Sequence, residues 1–154
     1  MTKAFEIMVN QVVSVNKNDS VKTVLKAFVE RRISGVPIIN GKNEPVGFIS
    51  DGDIMNNIGY QDPKIFIFDA FNSASWVDTE TFEEKIKKLM DRNVMEIATK
   101  KVVTVDSNEN IDQVAKILGN KKIKKVPVVS EQKLVGIISR GDIVRYVVKN
   151  HLDI

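Results

Sequence analysis

Four short stretches of this chain occur twice in the same order, and that repetition constrains the fold more than any other feature. Val36-Pro37-Ile38-Ile39 recurs as Val126-Pro127-Val128-Val129, 90 residues on. Val12-Val13-Ser14-Val15 recurs at the same interval as Val102-Val103-Thr104-Val105. Val46-Gly47-Phe48-Ile49-Ser50 returns as Val135-Gly136-Ile137-Ile138-Ser139, and Gly52-Asp53-Ile54 as Gly141-Asp142-Ile143, both 89 residues on. The one-residue difference puts a shorter turn between the last two strands of the second copy. Ordered repetition of this kind in 154 residues means two copies of one supersecondary unit.

Both copies share one grammar. A β-branched strand, Val12–Val15 or Val102–Val105, leads into a polar cluster suited to capping a helix, Asn18-Asp19-Ser20 or Ser107-Asn108-Glu109-Asn110. A helix then buries Val21, Val24, Leu25 and Phe28, or Ile111, Val114, Ala115 and Leu118, at helical spacing. Two apolar strands follow, joined by Gly41–Pro45 or Ser130–Lys133. A last helix begins near Asp51 or Gly141. The unit is β-α-β-β-α. Roughly 50 residues cannot cover an apolar sheet face alone. The expected fold is therefore α/β (α+β), with each repeat covering the other. Residues 1–59 form the first repeat, 60–93 a partly helical connection and 94–154 the second repeat. In the connection Thr79–Asp91 reads as a helix, with Phe82, Ile86, Leu89 and Met90 on one face. Ile65–Phe68 is too short to classify by period, and Trp76 and the phenylalanines are expected on the sheets or a partner chain.

Composition removes several chemistries. Without cysteine there is no disulfide, thiolate metal site or thiol nucleophile, and a single histidine, His151, builds neither a triad nor a zinc cluster. Asp51-Gly52-Asp53 lacks the remaining ligands of a calcium loop, and no glycine-rich phosphate loop occurs. Neither an apolar run of about 18 residues nor a signal-peptide core is present, so a cytoplasmic chain without membrane contact is expected. Residues 96–154 carry 11 Lys+Arg against 7 Asp+Glu, which suits an anionic ligand or nucleic acid. Single-strand binding needs aromatic platforms beside the basic residues, and none stands there. A nucleic-acid-binding regulator is an alternative, as is a structural subunit with empty, degenerate clefts. No catalytic constellation is legible, and the chain is not expected to be an enzyme.

The repeated motifs resemble those of CBS domains. Phe5-Glu6-Ile7-Met8 and Met95-Glu96-Ile97-Ala98 look like the family's opening segments. Arg32-Ile33-Ser34-Gly35-Val36-Pro37 and Lys122-Ile123-Lys124-Lys125-Val126-Pro127 look like its approach to the central strand. Gly47–Ile54 and Gly136–Ile143 look like its closing motif of Gly, two apolar residues, Ser or Thr, and Asp three residues later. The resemblance covers both repeats and leaves the connection unmatched. It implies two repeats packed through their sheets about a pseudo-two-fold axis, as a stand-alone pair (a Bateman module). It also implies a regulatory module that binds adenosine-containing ligands such as AMP, ADP or ATP and acts on a protein partner in trans. No cofactor is required, the adenine nucleotide being the regulatory ligand. A homodimer is expected through helix edges bearing Ile54, Met55, Ile58, Ile143, Val147 and Val148.

Ser50-x-x-Asp53 and Ser139-x-x-Asp142 are capping-box-like patterns, so local helix capping explains them as well as ribose recognition does. In the family each cleft joins the Asp motif of one repeat to the strand approach of the other. The resemblance thus implies one cleft of Ser50, Asp53, Ile123, Lys124, Lys125 and Pro127. It implies a second of Ser139, Asp142, Ile33, Ser34, Gly35 and Pro37. Ile33 or Ile123 would flank adenine. Lys124 and Lys125 stand where the family often places a phosphate-binding base, with Asp51 opposing phosphate unless a lysine pairs with it. Arg140 offers a guanidinium fork in the second cleft.

Overall fold

The computed structural model describes residues 1–120 and 123–153; Lys122, which opens the second strand approach, lies outside them. After a short helix α1 (Ala4–Ile7), the first repeat runs β1 (Val15–Asn16), α2 (Val21–Arg31), β2 (Gly35–Ile39), β3 (Pro45–Ser50) and α3 (Asp51–Ile58). A hairpin, β4 (Lys64–Ile67) and β5 (Ser73–Trp76), and helix α4 (Phe82–Met90) form the connection. A 3₁₀ turn at Val94–Glu96 leads to β6 (Val105–Asp106), α5 (Ile111–Leu118), β7 (Lys125–Ser130), β8 (Lys133–Ser139) and α6 (Arg140–His151). The mixed α/β architecture with two copies of one module is as expected.

The sheets are ordered β1-β2-β3 and β6-β7-β8, with the first pair parallel and the second antiparallel in each. The opening strands are shorter than their apolar runs predicted. Only Val15 and Asn16, and Val105 and Asp106, find parallel partners, at Ile38–Ile39 and Val128–Val129. Central positions Val36, Pro37, Ile38, Val126, Pro127 and Val128 are fully buried, because helices cover one face and the other repeat closes the second. The β7–β8 turn places Glu131 at φ 49° and Gln132 at φ 70° between the paired Ser130 and Lys133. This is a two-residue hairpin in the left-handed region without glycine.

The leading segments are exchanged between repeats. Ala4 is fully buried in the second core with Val105, Val114 and Ile138, and Val9 exchanges backbone hydrogen bonds with Ile137 at 2.9 and 3.1 Å. Reciprocally, Val94 is fully buried in the first core with Val21, Val24 and Ile49, and Thr99 exchanges bonds with Phe48 at 2.9 Å each way. These matched contacts express the pseudo-two-fold relation and lock the repeats together. A Cβ on Gly136 would run into the Met8 side chain, so the first segment seats only because that position has no side chain. Leu89 joins the first core, which docks α4 on α2 and α3.

Trp76 and the phenylalanines of the hairpin do not pack on the sheets. Ile65, Phe66, Ile67, Phe68, Phe71 and Trp76 are all exposed. On the expected helix edge, Ile54 is buried in the first core and Ile143 packs on the second. Met55, Val144 and Val147 are left exposed there.

Candidate functional site

A cleft of about 310 Å³ opens between the repeats, at the lower end of the range that takes small ligands. Its walls come from four places. Ser34 and Gly35 begin β2. Phe48 and Ser50 end β3 and pass into Asp51-Gly52-Asp53 at the N-terminus of α3. The exchanged segment supplies Thr99, Lys101, Val102 and Val103. The approach to β7 supplies Ile123, Lys124, Lys125 and Pro127. Val102 and Val103, read from sequence as strand, are cleft wall instead.

Asp53 sits in the third position of α3 and reaches back to its cap. The Ser50 amide donates to Asp53 Oδ2 at 2.9 Å, and the Ser50 hydroxyl to the same oxygen at 3.3 Å. One carboxylate oxygen therefore closes the helix end, and Oδ1 has no hydrogen-bond partner among the described residues. The pattern at Asp142 begins alike, with the Ser139 amide at 2.7 Å and hydroxyl at 3.0 Å from Oδ2. There Arg145 Nη2 also takes Oδ1 at 2.6 Å. The repeat position of Arg145 in the first copy is Asn56, so sequence carries this difference as an i,i+3 acid–base pair present in one copy only.

Lys125 faces Ser139 across the β7–β8 ladder, where the first copy has Gly35 facing Ser50. Only the second copy therefore sends a cation into this cleft. Burial pushes the Lys125 ammonium below its ordinary value of 10.5, and the carboxylates of Asp142 and Asp51 offset part of that push. Lys101 and Lys124 line the same cleft with exposed side chains. Three ammonium groups thus stand against Asp51 and Asp53. Phe48, Val102, Val103, Ile123 and Pro127 provide the apolar part of the wall.

The structure brings together Ser50, Asp53, Ile123, Lys124, Lys125 and Pro127, and adds Ser34 and Gly35 from the other predicted set. Ile33 packs on the first core, and Pro37 is buried within β2. Arg140 is not in the lining of the inter-repeat cleft: its guanidinium donates to the carbonyls of Leu118 at 2.7 Å and Asn120 at 2.6 Å, closing the C-terminal end of α5. Asp142 lines an open groove with Glu6, Arg145, Tyr146 and Lys149. Sequence reasoning missed Phe48, Thr99, Lys101, Val102 and Val103. Phe48 stands on β3 within the repeated closing motif; the other four reach the cleft through the segment exchange, which no local pattern reports.

The chain matches the CBS domain family over residues 4–60 and 94–149. The uncharacterized protein MJ1426 of Methanocaldococcus jannaschii is 30% identical over 149 residues, covering 90% of this chain and 87% of that protein. The chloroplastic CBS domain-containing protein CBSX1 of Arabidopsis thaliana is 32% identical over 137 residues, which span 85% of this chain and 57% of that protein. The crystal structure of CBSX2 in complex with AMP superposes with a TM-score of 0.73 at 23% identity, covering 97% of this chain and 98% of that one. The CBS domain pair of MJ0100, in complex with 5′-methylthioadenosine and S-adenosyl-L-methionine, gives 0.66 at 22%, with 95% of each chain covered.

Proposed function

Because this chain belongs to the CBS domain family, with two copies in one polypeptide, we propose that it is a non-enzymatic sensor whose inter-repeat cleft binds an adenosine-containing ligand. The observation that carries this reading is Asp53 Oδ1, without a hydrogen-bond partner among the described residues, in a cleft that also holds three lysines and an apolar wall. A ribose diol donates two hydrogen bonds and needs an anionic acceptor at a fixed place, which a helix-capped carboxylate provides. An adenine ring suits the surfaces of Ile123, Val102 and Phe48. Phosphate suits Lys101, Lys124 and Lys125, with Lys125 also offsetting Asp51. The similar structures that hold AMP, or methylthioadenosine and S-adenosylmethionine, support the ligand class. The predominance of lysine favours an anionic member of that class over a sulfonium. Ligand occupancy then acts on a partner protein in trans, from a homodimer in the cytoplasm, by changing how the two repeats sit across the cleft.

Calorimetry with AMP, ADP, ATP and S-adenosylmethionine tests the reading. Binding of a phosphorylated nucleotide with a micromolar or weaker dissociation constant, about −8 kcal/mol or smaller in magnitude, is expected. Absence of heat and of thermal stabilisation by all four ligands at millimolar concentration would sink it.

A further inference from the structure

The two repeats end the helix before their central strand differently, and the difference falls on the wall of the cleft. In the first copy α2 runs to Arg31 and stops at Arg32 in the left-handed region, φ 53°, with the Arg32 and Ile33 amides both donating to the Phe28 carbonyl. Only Arg32, Ile33 and Ser34 then separate the helix from β2. In the second copy α5 already ends at Leu118, whose repeat position, Phe28, is still inside α2. Gly119 keeps right-handed angles, φ −72° and ψ −18°, where the first copy turns left-handed. The approach to β7 is therefore longer, 119–124, and it brings Ile123 and Lys124 to the cleft with Lys125 directly after them. Arg140 holds this approach at both ends. Its guanidinium donates from Nε to the Leu118 carbonyl and from Nη2 to the Asn120 carbonyl, and its amide donates to the Lys124 carbonyl at 3.2 Å. The Ile123 amide donates in turn to the Asn120 carbonyl at 3.1 Å.

We propose that Arg140 is a positioning residue of the ligand cleft: from outside the lining, it fixes the segment that presents Ile123, Lys124 and Lys125 to the ligand. The proposal rests on the nucleotide reading above and assigns a residue that the ligand does not touch. The first copy has Asp51 at this place. Its amide keeps the matching bond, to the Ser34 carbonyl at 2.8 Å, but a carboxylate has no proton to give a carbonyl. Its shorter approach is closed by the left-handed turn instead. Arginine carries several donors in one rigid plane, so a single side chain can grip two carbonyls, and lysine lacks that fork. A segment ordered before the ligand arrives spares the ligand the cost of ordering it. Lys124 and Lys125 meet phosphate in this reading, so loss of the grip weakens a phosphorylated ligand more than a bare nucleoside.

Calorimetry with ATP and with adenosine compares the wild type, Arg140→Met, Lys124→Met/Lys125→Met and the triple variant, with circular dichroism confirming the fold. Arg140→Met should lower ATP affinity about tenfold and adenosine affinity less than about threefold. Added to the double lysine variant, the same substitution should change ATP affinity less than about twofold, because the groups it positions are gone. Arg140→Lys keeps the charge without the fork and should lose about threefold for ATP, which carries the test if the methionine variant does not fold. Equal losses of ATP affinity with and without Lys124 and Lys125 would overturn the proposal, since Arg140 would then act on the ligand through its own charge. Unchanged ATP affinity in both Arg140 variants would overturn it while leaving the nucleotide reading intact. A wild type that binds neither ATP nor adenosine sinks the nucleotide reading and this role with it.

Discussion

Replacing Asp53 by Asn separates the ligand role of this residue from its capping role. Asn keeps an oxygen that can accept from the Ser50 amide, and the two residues cap helices about equally well. The change removes negative charge from the first turn of α3, which costs about 0.3–1 kcal/mol of stability at low salt. Its larger effect is at Oδ1, the oxygen without a hydrogen-bond partner among the described residues. A hydrogen bond to a charged group contributes about 1.5–3 kcal/mol, so nucleotide affinity should fall about 10- to 150-fold. Asp142→Asn is the internal control. Both oxygens of Asp142 are already engaged, and its partner Arg145 is largely exposed, so affinity should change less than about twofold. Calorimetry gives the affinities, and urea melts without ligand give the stabilities. If Asp53→Asn binds as tightly as the wild type, the free oxygen does not meet ribose and Asp53 is only a cap. Equal losses in both variants would show that the difference created by Arg145 is immaterial.

Lys125 links ligand binding to pH. Its folded-state value is lowered, so between that value and 10.5 the unfolded chain binds more protons, and this group's contribution to stability rises with pH across that window. Phosphate needs the protonated form, so nucleotide affinity should fall across the same range, with Asp51, Asp142, Asp53, Lys101 and Lys124 as the neighbouring charges. Lys125→Arg should flatten that fall, and Lys125→Met should weaken binding while raising the urea midpoint of the free protein; calorimetry from pH 7 to 10 finding identical slopes in wild type and Arg variant would refute the role. Gly136→Ala places a methyl group against Met8 and should cost about 1–3 kcal/mol in urea melts, with Met8→Ala restoring much of it; an unaffected single variant would mean that the exchanged segment does not seat there. Asn-Gly in place of Glu131-Gln132 puts the two residues that adopt the left-handed region most readily into the turn and should add about 1–2 kcal/mol, with ligand affinity unchanged; a lower denaturation midpoint would count against the turn assignment.

What the sequence by itself determined is what short range decides. Apolar spacing sets α2 and α5, Ser50-x-x-Asp53 and Ser139-x-x-Asp142 set the starts of α3 and α6, and the repetition at 90 and 89 residues sets the two-module architecture. Half of the cleft was legible for the same reason, because Ser50, Asp53 and the Ile123–Pro127 approach lie within the repeated motifs. The tertiary structure decided the rest. Thr99, Lys101, Val102 and Val103 reach the cleft because residues 94–99 pack on the first repeat, while Ala4–Val9 pack on the second. Exchanged and unexchanged segments have the same apolar pattern and the same local propensities. Only the long-range pairings of Thr99 with Phe48 and Val9 with Ile137 distinguish them. Free and engaged carboxylates at Asp53 and Asp142 likewise share one motif. They diverge because a guanidinium one turn along α6 captures an oxygen that α3 leaves open. The hairpin was not classifiable from four apolar residues. Its strands exist because Lys64–Ile67 finds Ser73–Trp76, and its exposure follows from both cores being complete without it.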